Sequence, residues 1–222
     1  MLGQRLRRMW YAKKVAGTTL HNTWRCHTPG LGDDWRDVSF LVCDGEMSSL
    51  DANQGELLSL GWVVIERGAI VLESARHYLV KAKQSVGQSA AIHQLRDCEL
   101  EEGRPAAQLL ELFLAAAAGR VLVFHNATLD TAFLDRLTCR EYGAPLLMPT
   151  VDTMLMEEVV LRRSDRVIKT GDLRLHACRQ RYNLPRYSSH NALVDALATA
   201  ELLLAQTQRC GGSNNVPLRY FL

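Results

Sequence analysis

Asp44 and Glu46 stand two residues apart at the end of an apolar run, Val38–Asp44. On an extended chain, residues i and i+2 point to the same side, so both carboxylates share the face of Val38, Phe40 and Val42. Two acids that close an apolar face repel one another and resist desolvation. A divalent cation would relieve both penalties at once. The alternative for this pair alone is a strand that has ended, with both acids in water.

Two further runs carry the same chemistry. His125-Asn126-Ala127-Thr128-Leu129-Asp130 passes from a short apolar stretch into a helix. Asn126 can cap that helix, and Asp130 lies in its first turn, where the helix dipole favours a negative charge. His190-Asn191-Ala192-Leu193-Val194-Asp195 opens the last helix, with Asp195 flanked by Val194, Ala196, Leu197 and Ala198. Singly, each run also reads as ordinary helix-start chemistry. Together, four acids and a histidine from a strand end, a helix start and a final helix are the inventory of a two-metal phosphodiester hydrolase. Hard Mg²⁺ or Mn²⁺ prefers carboxylate oxygen and leaves room for substrate phosphate. A histidine that titrates near neutrality suits removal of a proton from water.

The elements that must position these groups follow from hydrophobic spacing. Val38–Asp44 reads as a buried strand. Leu57–Glu66 and Ile70–Val80 read as two more, joined by Arg67-Gly68, a hairpin signal, so the sheet opens with antiparallel strands. Helices are expected over Ala106–Ala118, Thr128–Tyr142, Leu173–Tyr182 and Ala192–Gln208, with a short strand at Val121–Phe124. Antiparallel strands followed by strand and helix alternation imply an α/β protein with a mixed sheet and helices on its faces.

These motifs resemble the DEDDh class of 3′→5′ exonucleases, the family that includes the proofreading subunit of bacterial DNA polymerase III, ribonuclease T and oligoribonuclease. Asp44 and Glu46 match its D-x-E motif. His125–Leu134 and His190–Ala196 match the second and third motifs, and the resemblance covers about residues 38–208. It implies a ribonuclease H-like fold, a five-stranded mixed sheet flanked by helices. It also implies roles: Asp44 bridging two divalent cations (Mg²⁺ or Mn²⁺), Glu46 and Asp195 completing the first metal site, Asp130 helping to hold the second, and His190 as general base. The implied reaction is release of nucleoside 5′-monophosphates from single-stranded or frayed 3′ ends, with DNA favoured. Met47 in place of the family's usual threonine is a feature of the oligoribonuclease branch, which keeps an exoribonuclease acting on short RNA as the alternative. A polymerase-accessory, nucleic-acid-binding subunit is another. Met47 and Ser48, after the first motif, and His93, before the middle helix, are the expected substrate contacts.

Composition is consistent with this reading. The 222 residues are 47% hydrophobic and 23% charged, an ordinary globular balance that excludes wholesale disorder. No stretch approaches the roughly 20 apolar residues of a membrane span, and no apolar run follows the basic start as a secretory signal requires. The six cysteines are scattered singly and lack C-x-x-C spacing, which points to reduced, mostly buried thiols in a cytoplasmic protein. Net charge is +2, but residues 1–32 carry six cations and no acid. Residues 1–37 are expected as a basic arm before a domain at 38–208, and 209–222 as a flexible tail. The arm would help hold single-stranded DNA or RNA 3′ ends. The apolar tail Val216–Leu222 either packs on its own domain or docks on a polymerase or clamp.

Overall fold

The computed structural model describes residues 2–81, 100–164, 167–188, 190–211 and 214–222. His93, with Ala91 and Ile92 before it, lies outside the described residues. Five strands, β1 (Phe40–Met47), β2 (Leu57–Glu66), β3 (Ala69–Leu79), β4 (Val121–Phe124) and β5 (Thr150–Asp152), form one sheet in the order β3-β2-β1-β4-β5. The first three are antiparallel, and β4 and β5 run parallel to β1 and to each other. Arg67 and Gly68 both take positive φ, 51° and 71°, the two-residue turn whose twist matches the flanking strands. The helices described here are α1 (Leu2–Tyr11), α2 (Thr19–Arg25), α3 (Ala106–Ala117), α4 (Ala127–Tyr142), α5 (Thr153–Arg163), α6 (Leu175–Arg181) and α7 (Ala192–Gly211).

β1 sits in the middle of the sheet and is buried on both faces, which its near-continuous apolar sequence requires. Phe40 and Val42 pack with Val63, Ile65, Val123, Val151 and, from α7, Ala200 and Leu203. Leu41 and Cys43 face the opposite way, among Phe113 and Leu114 of α3 and Phe133 and Leu134 of α4. The period-2 alternation of β1 thus assigns one face to α7 and the other to α3 and α4. Asp44 and Glu46 have the parity of the α7 face.

The N-terminal segment is more than an arm, and the tail takes the self-packed alternative. Residues 1–37, expected as an arm, contain α1, α2 and the short 3-10 turn Trp35–Asp37, and they bury Val15, Leu20, Trp24 and Trp35 in the core. Trp24 Nε1 donates to Leu146 O at 2.7 Å, and the Arg8 guanidinium donates to Leu147 O at 2.8 Å. Leu2, Leu6, Met9 and Trp10 repeat at helical spacing, so a short helix near Leu6–Val15 is readable from the sequence, whereas the burial of Val15, Leu20, Trp24 and Trp35 comes only with tertiary packing. The tail packs on its own domain. Val216, Leu218 and Phe221 are buried against the α7-side core. Trp35 N–H donates to Val216 O, and Val216 N–H to Asp34 Oδ2, both at 3.1 Å. β5, α2 and α5 were not evident from spacing. β5 is three residues long, below the length at which alternation can be read, and α5 follows it without a break. Cys43 and Cys178 are buried, but Cys26, Cys139 and Cys210 are exposed, which corrects the expectation of mostly buried thiols. Among the described residues no helix is long and apolar enough to cross a membrane.

Candidate active site

Asp44 pairs in register with Gly61 of β2. A Cβ on Gly61 would lie 2.4 Å from the backbone of Ala192 and Leu193, so the first turn of α7 rests directly on the sheet at this point. An isolated glycine inside an apolar strand is the sequence signal for such an approach. Asn191 starts α7: its Oδ1 accepts from the N–H groups of Leu193 and Val194, each at 3.2 Å. Asp195 follows one turn later, and its Oδ2 accepts the N–H of His190 at 2.7 Å. Carboxylate oxygens of Asp44, Glu46 and Asp195 all come within 4.8 Å of one another.

Asp130 reaches the same strand end from the α4 side and stands outside that three-carboxylate cluster. It is buried, and its Oδ1 accepts the N–H of Gly45, between Asp44 and Glu46, at 3.0 Å. The start of α4 is not capped by the side chain of Asn126, which has φ 71° and makes no capping bond. The Asp152 carboxylate does it instead. It accepts the N–H groups of Asn126 and Ala127 at 3.0 and 2.9 Å, and that of Met154 at 2.9 Å, so one acid at the end of β5 serves the starts of α4 and α5.

Burial raises the carboxyl pKa values throughout, and repulsion between carboxylates adds to it at Asp44, Glu46 and Asp130. Burial pushes Asp44 well above the carboxylate range, and Asp130, Asp195 and Glu46 add to it. Glu46 is pushed up to about 7 by burial and by Asp195. Asp130 is pushed up to about 8 by burial, against the opposing pull of the Gly45 N–H. Asp195 is raised by burial, against the His190 N–H. An all-oxygen donor set that is destabilised when ionised fits a hard divalent cation, which favours the charged form of each ligand.

A cleft of about 1560 Å³ opens over this end of the sheet, lined by Asp44, Asp195, His190 and His125. His190 is exposed and has φ 71°. His125 is engaged on both ring nitrogens, with Thr153 Oγ1 at 2.9 Å and Leu173 O at 2.8 Å, and burial lowers its pKa. Met47 is half-buried against the core, and Ser48 Oγ accepts the N–H of Glu56 at 2.9 Å, closing the loop between β1 and β2. Neither is among the residues lining the cleft, whereas Lys169, Arg174 and Arg186, which motif reading did not single out, are.

A ribonuclease H-like sheet whose central strand ends in a carboxylate cluster, completed by the final helix, defines the DEDD-type exonuclease class. Residues 41–203 match the exonuclease family that includes ribonuclease T, and the chain belongs to that family. It is 29% identical over 177 residues to a PolC-type DNA polymerase III of Thermotoga maritima, a match covering 78% of this chain and 12% of that protein. It is 30% identical over 169 residues to a DNA polymerase III subunit epsilon-like protein of Rhodobacter capsulatus, covering 75% of this chain and 23% of that one. The chain thus spans less than a quarter of the length of these relatives. In fold it is similar to Escherichia coli exonuclease I in a complex with single-stranded DNA, with TM-score 0.66 at 11% identity over 78% of this chain and 41% of that one. It is also similar to a 3′-exonuclease described as recognising the histone mRNA stem-loop, with TM-score 0.63 at 12% identity over 82% and 67% of the two chains.

Proposed function

We propose that this chain is a metal-dependent 3′→5′ exonuclease that acts in the cytoplasm on single-stranded or frayed nucleic acid, DNA favoured, and releases nucleoside 5′-monophosphates. The observation that carries this reading is the convergence of Asp44, Glu46 and Asp195 within 4.8 Å, with Asp44 and Asp195 lining a cleft that His190 also lines. Asp44, Glu46 and Asp195 would hold divalent cations, Mg²⁺ or Mn²⁺, with Asp130 supporting a second one across Gly45. When bound, the cations supply Lewis acidity and offset the charge of the phosphate. His190 accepts the proton of the attacking water from its exposed position beside Asp195. Its main-chain N–H, donated to Asp195, keeps the base in register with the carboxylates. The preference for DNA rests on relatives named as DNA polymerase III proteins. Burial of Val216, Leu218 and Phe221 in the chain's own core favours the self-packed tail over a free peptide for a polymerase or clamp.

The test is to incubate the purified protein with 5′-labelled single-stranded DNA or RNA in Mg²⁺, Mn²⁺ or excess chelator. A ladder shortening from the 3′ end with 5′-mononucleotide products, present with metal and absent with chelator, is expected. Full activity in chelator, or initial release of the 5′ label, would overturn the assignment.

A further inference from the structure

We propose that Lys169, Arg174 and Arg186 form a phosphate-binding wall that holds the strand upstream of the nucleotide being removed; this rests on the exonuclease reading above and extends it to the substrate's length. All three line the cleft that contains Asp44 and Asp195, and all three are exposed. Among the described residues none of them enters an ion pair. Two nearby arginines that do, Arg179 with Glu201 and Arg181 with Glu157, are buried and half-buried. The cleft therefore has an acidic floor and a positively charged wall.

The backbone beneath each free cation is held in place. Lys169 N–H donates to Asp172 Oδ2 at 2.8 Å, Asp172 N–H returns to Lys169 O at 3.1 Å, and Arg174 N–H donates to Gly171 O at 3.1 Å. Leu173 O is bonded to the His125 ring, which ties this turn to the end of β4, and Asp172 O accepts from Arg181 at 2.5 Å. Arg186 lies between two anchored neighbours. Pro185 O accepts from Arg179 at 2.8 Å, and Tyr187 Oη donates to Glu201 Oε1 at 2.8 Å, with the Arg179 guanidinium 4.6 Å from the Tyr187 ring. Fixed backbone with unengaged charged ends is the arrangement that binds phosphates at low ordering cost.

Ammonium and guanidinium groups on a wall read the phosphodiester chain and not the bases. The expected ligand is a single strand of several nucleotides, and a dinucleotide, which has one internucleotide phosphate to share between the carboxylates and the wall, is the poorer substrate. The strand lies along the wall while its last phosphate reaches the acidic floor.

Binding of a 5′-fluorescein oligothymidylate of about twelve nucleotides to the full-length Asp44→Asn protein, followed by anisotropy across salt concentrations, tests the wall without turnover. Lys169→Ala, Arg174→Ala and Arg186→Ala should each weaken binding roughly 3- to 10-fold near 100 mM salt. Each should also reduce the salt slope by about 0.7, the single-strand value per phosphate contact. Arg174→Glu should weaken it further, and unchanged melting temperatures would exclude misfolding. With Asp44 restored, the triple alanine variant should lose most of the advantage in kcat/KM of the long strand over a dinucleotide. A protein that degrades the long strand while these variants bind and cleave it normally overturns the wall and leaves the exonuclease reading standing. A parent protein that neither binds nor degrades any strand removes both.

Discussion

Asp44 and Gly61 face one another across β1 and β2, and the bare α-carbon of Gly61 lets the start of α7 settle beside Asp44. The atoms that a methyl group would meet there are backbone, 2.4 Å away, with no flexible side chain to yield. Gly61→Ala must therefore displace α7 or the strand. Overpacking of this kind costs about 1–3 kcal/mol, and a displacement near 1 Å at Asp195 is expected to cost activity roughly 100-fold. Chemical denaturation together with single-turnover cleavage checks both. A variant that folds and turns over like the parent would show that the close approach does not set the site.

The raised carboxyl pKa values make metal-free stability depend on pH in a stated direction. Glu46 at about 7 and Asp130 at about 8 hold protons in the folded state that the unfolded chain releases near pH 4 to 4.5. The folded state then binds more protons, so stability is fully present below that lower limit and falls as pH rises through about 7 to 8. In chelator, the melting temperature should drop by several degrees between about pH 5.5 and pH 8. Mg²⁺ or Mn²⁺ should restore it at the higher pH and do much less at the lower one. Asp44→Asn should raise the metal-free melting temperature at pH 8 and abolish turnover. A metal-free melting curve independent of pH would contradict the clustering of ionisable acids.

His190→Ala removes the expected proton acceptor and leaves the carboxylate cluster in place. A fall in kcat of roughly 10²- to 10⁴-fold at neutral pH is expected, the range for loss of a general base. Near-parental kcat would assign the proton to another group.

Leu218 is completely buried, in a tail that pairs with the chain near Asp34. Leu218→Ala should destabilise the protein by about 2–5 kcal/mol in urea unfolding, the usual cost of emptying such a position. The site lies at the other end of β1, so kcat measured well below the melting temperature should stay close to the parent's. Parental stability would mean that the tail is not part of the folded core.

Asp44, Glu46, Asp130, His190 and Asp195 could be named as candidates from residue type and spacing because each sits near an element boundary that apolar periodicity marks. What supports them could not. Asp152 stands at the boundary between β5 and α5, and three amides from two helix starts meet on it. Such convergence depends on the separation of β4 and β5 in space, which no local pattern encodes. Asn126 is the preferred residue type for a cap, yet its left-handed backbone turns the side chain away from that task. The basic lining of the cleft escaped notice for a different reason. Lys169, Arg174 and Arg186 are ordinary surface residues until folding of α6 and its flanking loops places them along one wall.

The left-handed backbone of His190 sets two kinds of fitness against each other. An L-residue other than glycine held in this region costs about 1–2 kcal/mol. Replacement by glycine would relieve that strain and delete the imidazole in the same step. Selection of variants for thermal endurance alone would therefore favour His190→Gly, and the hardier protein would be the inactive one. At this position a gain in endurance cannot be taken as a gain in function, so a screen for improved variants has to count turnovers as well as survivors.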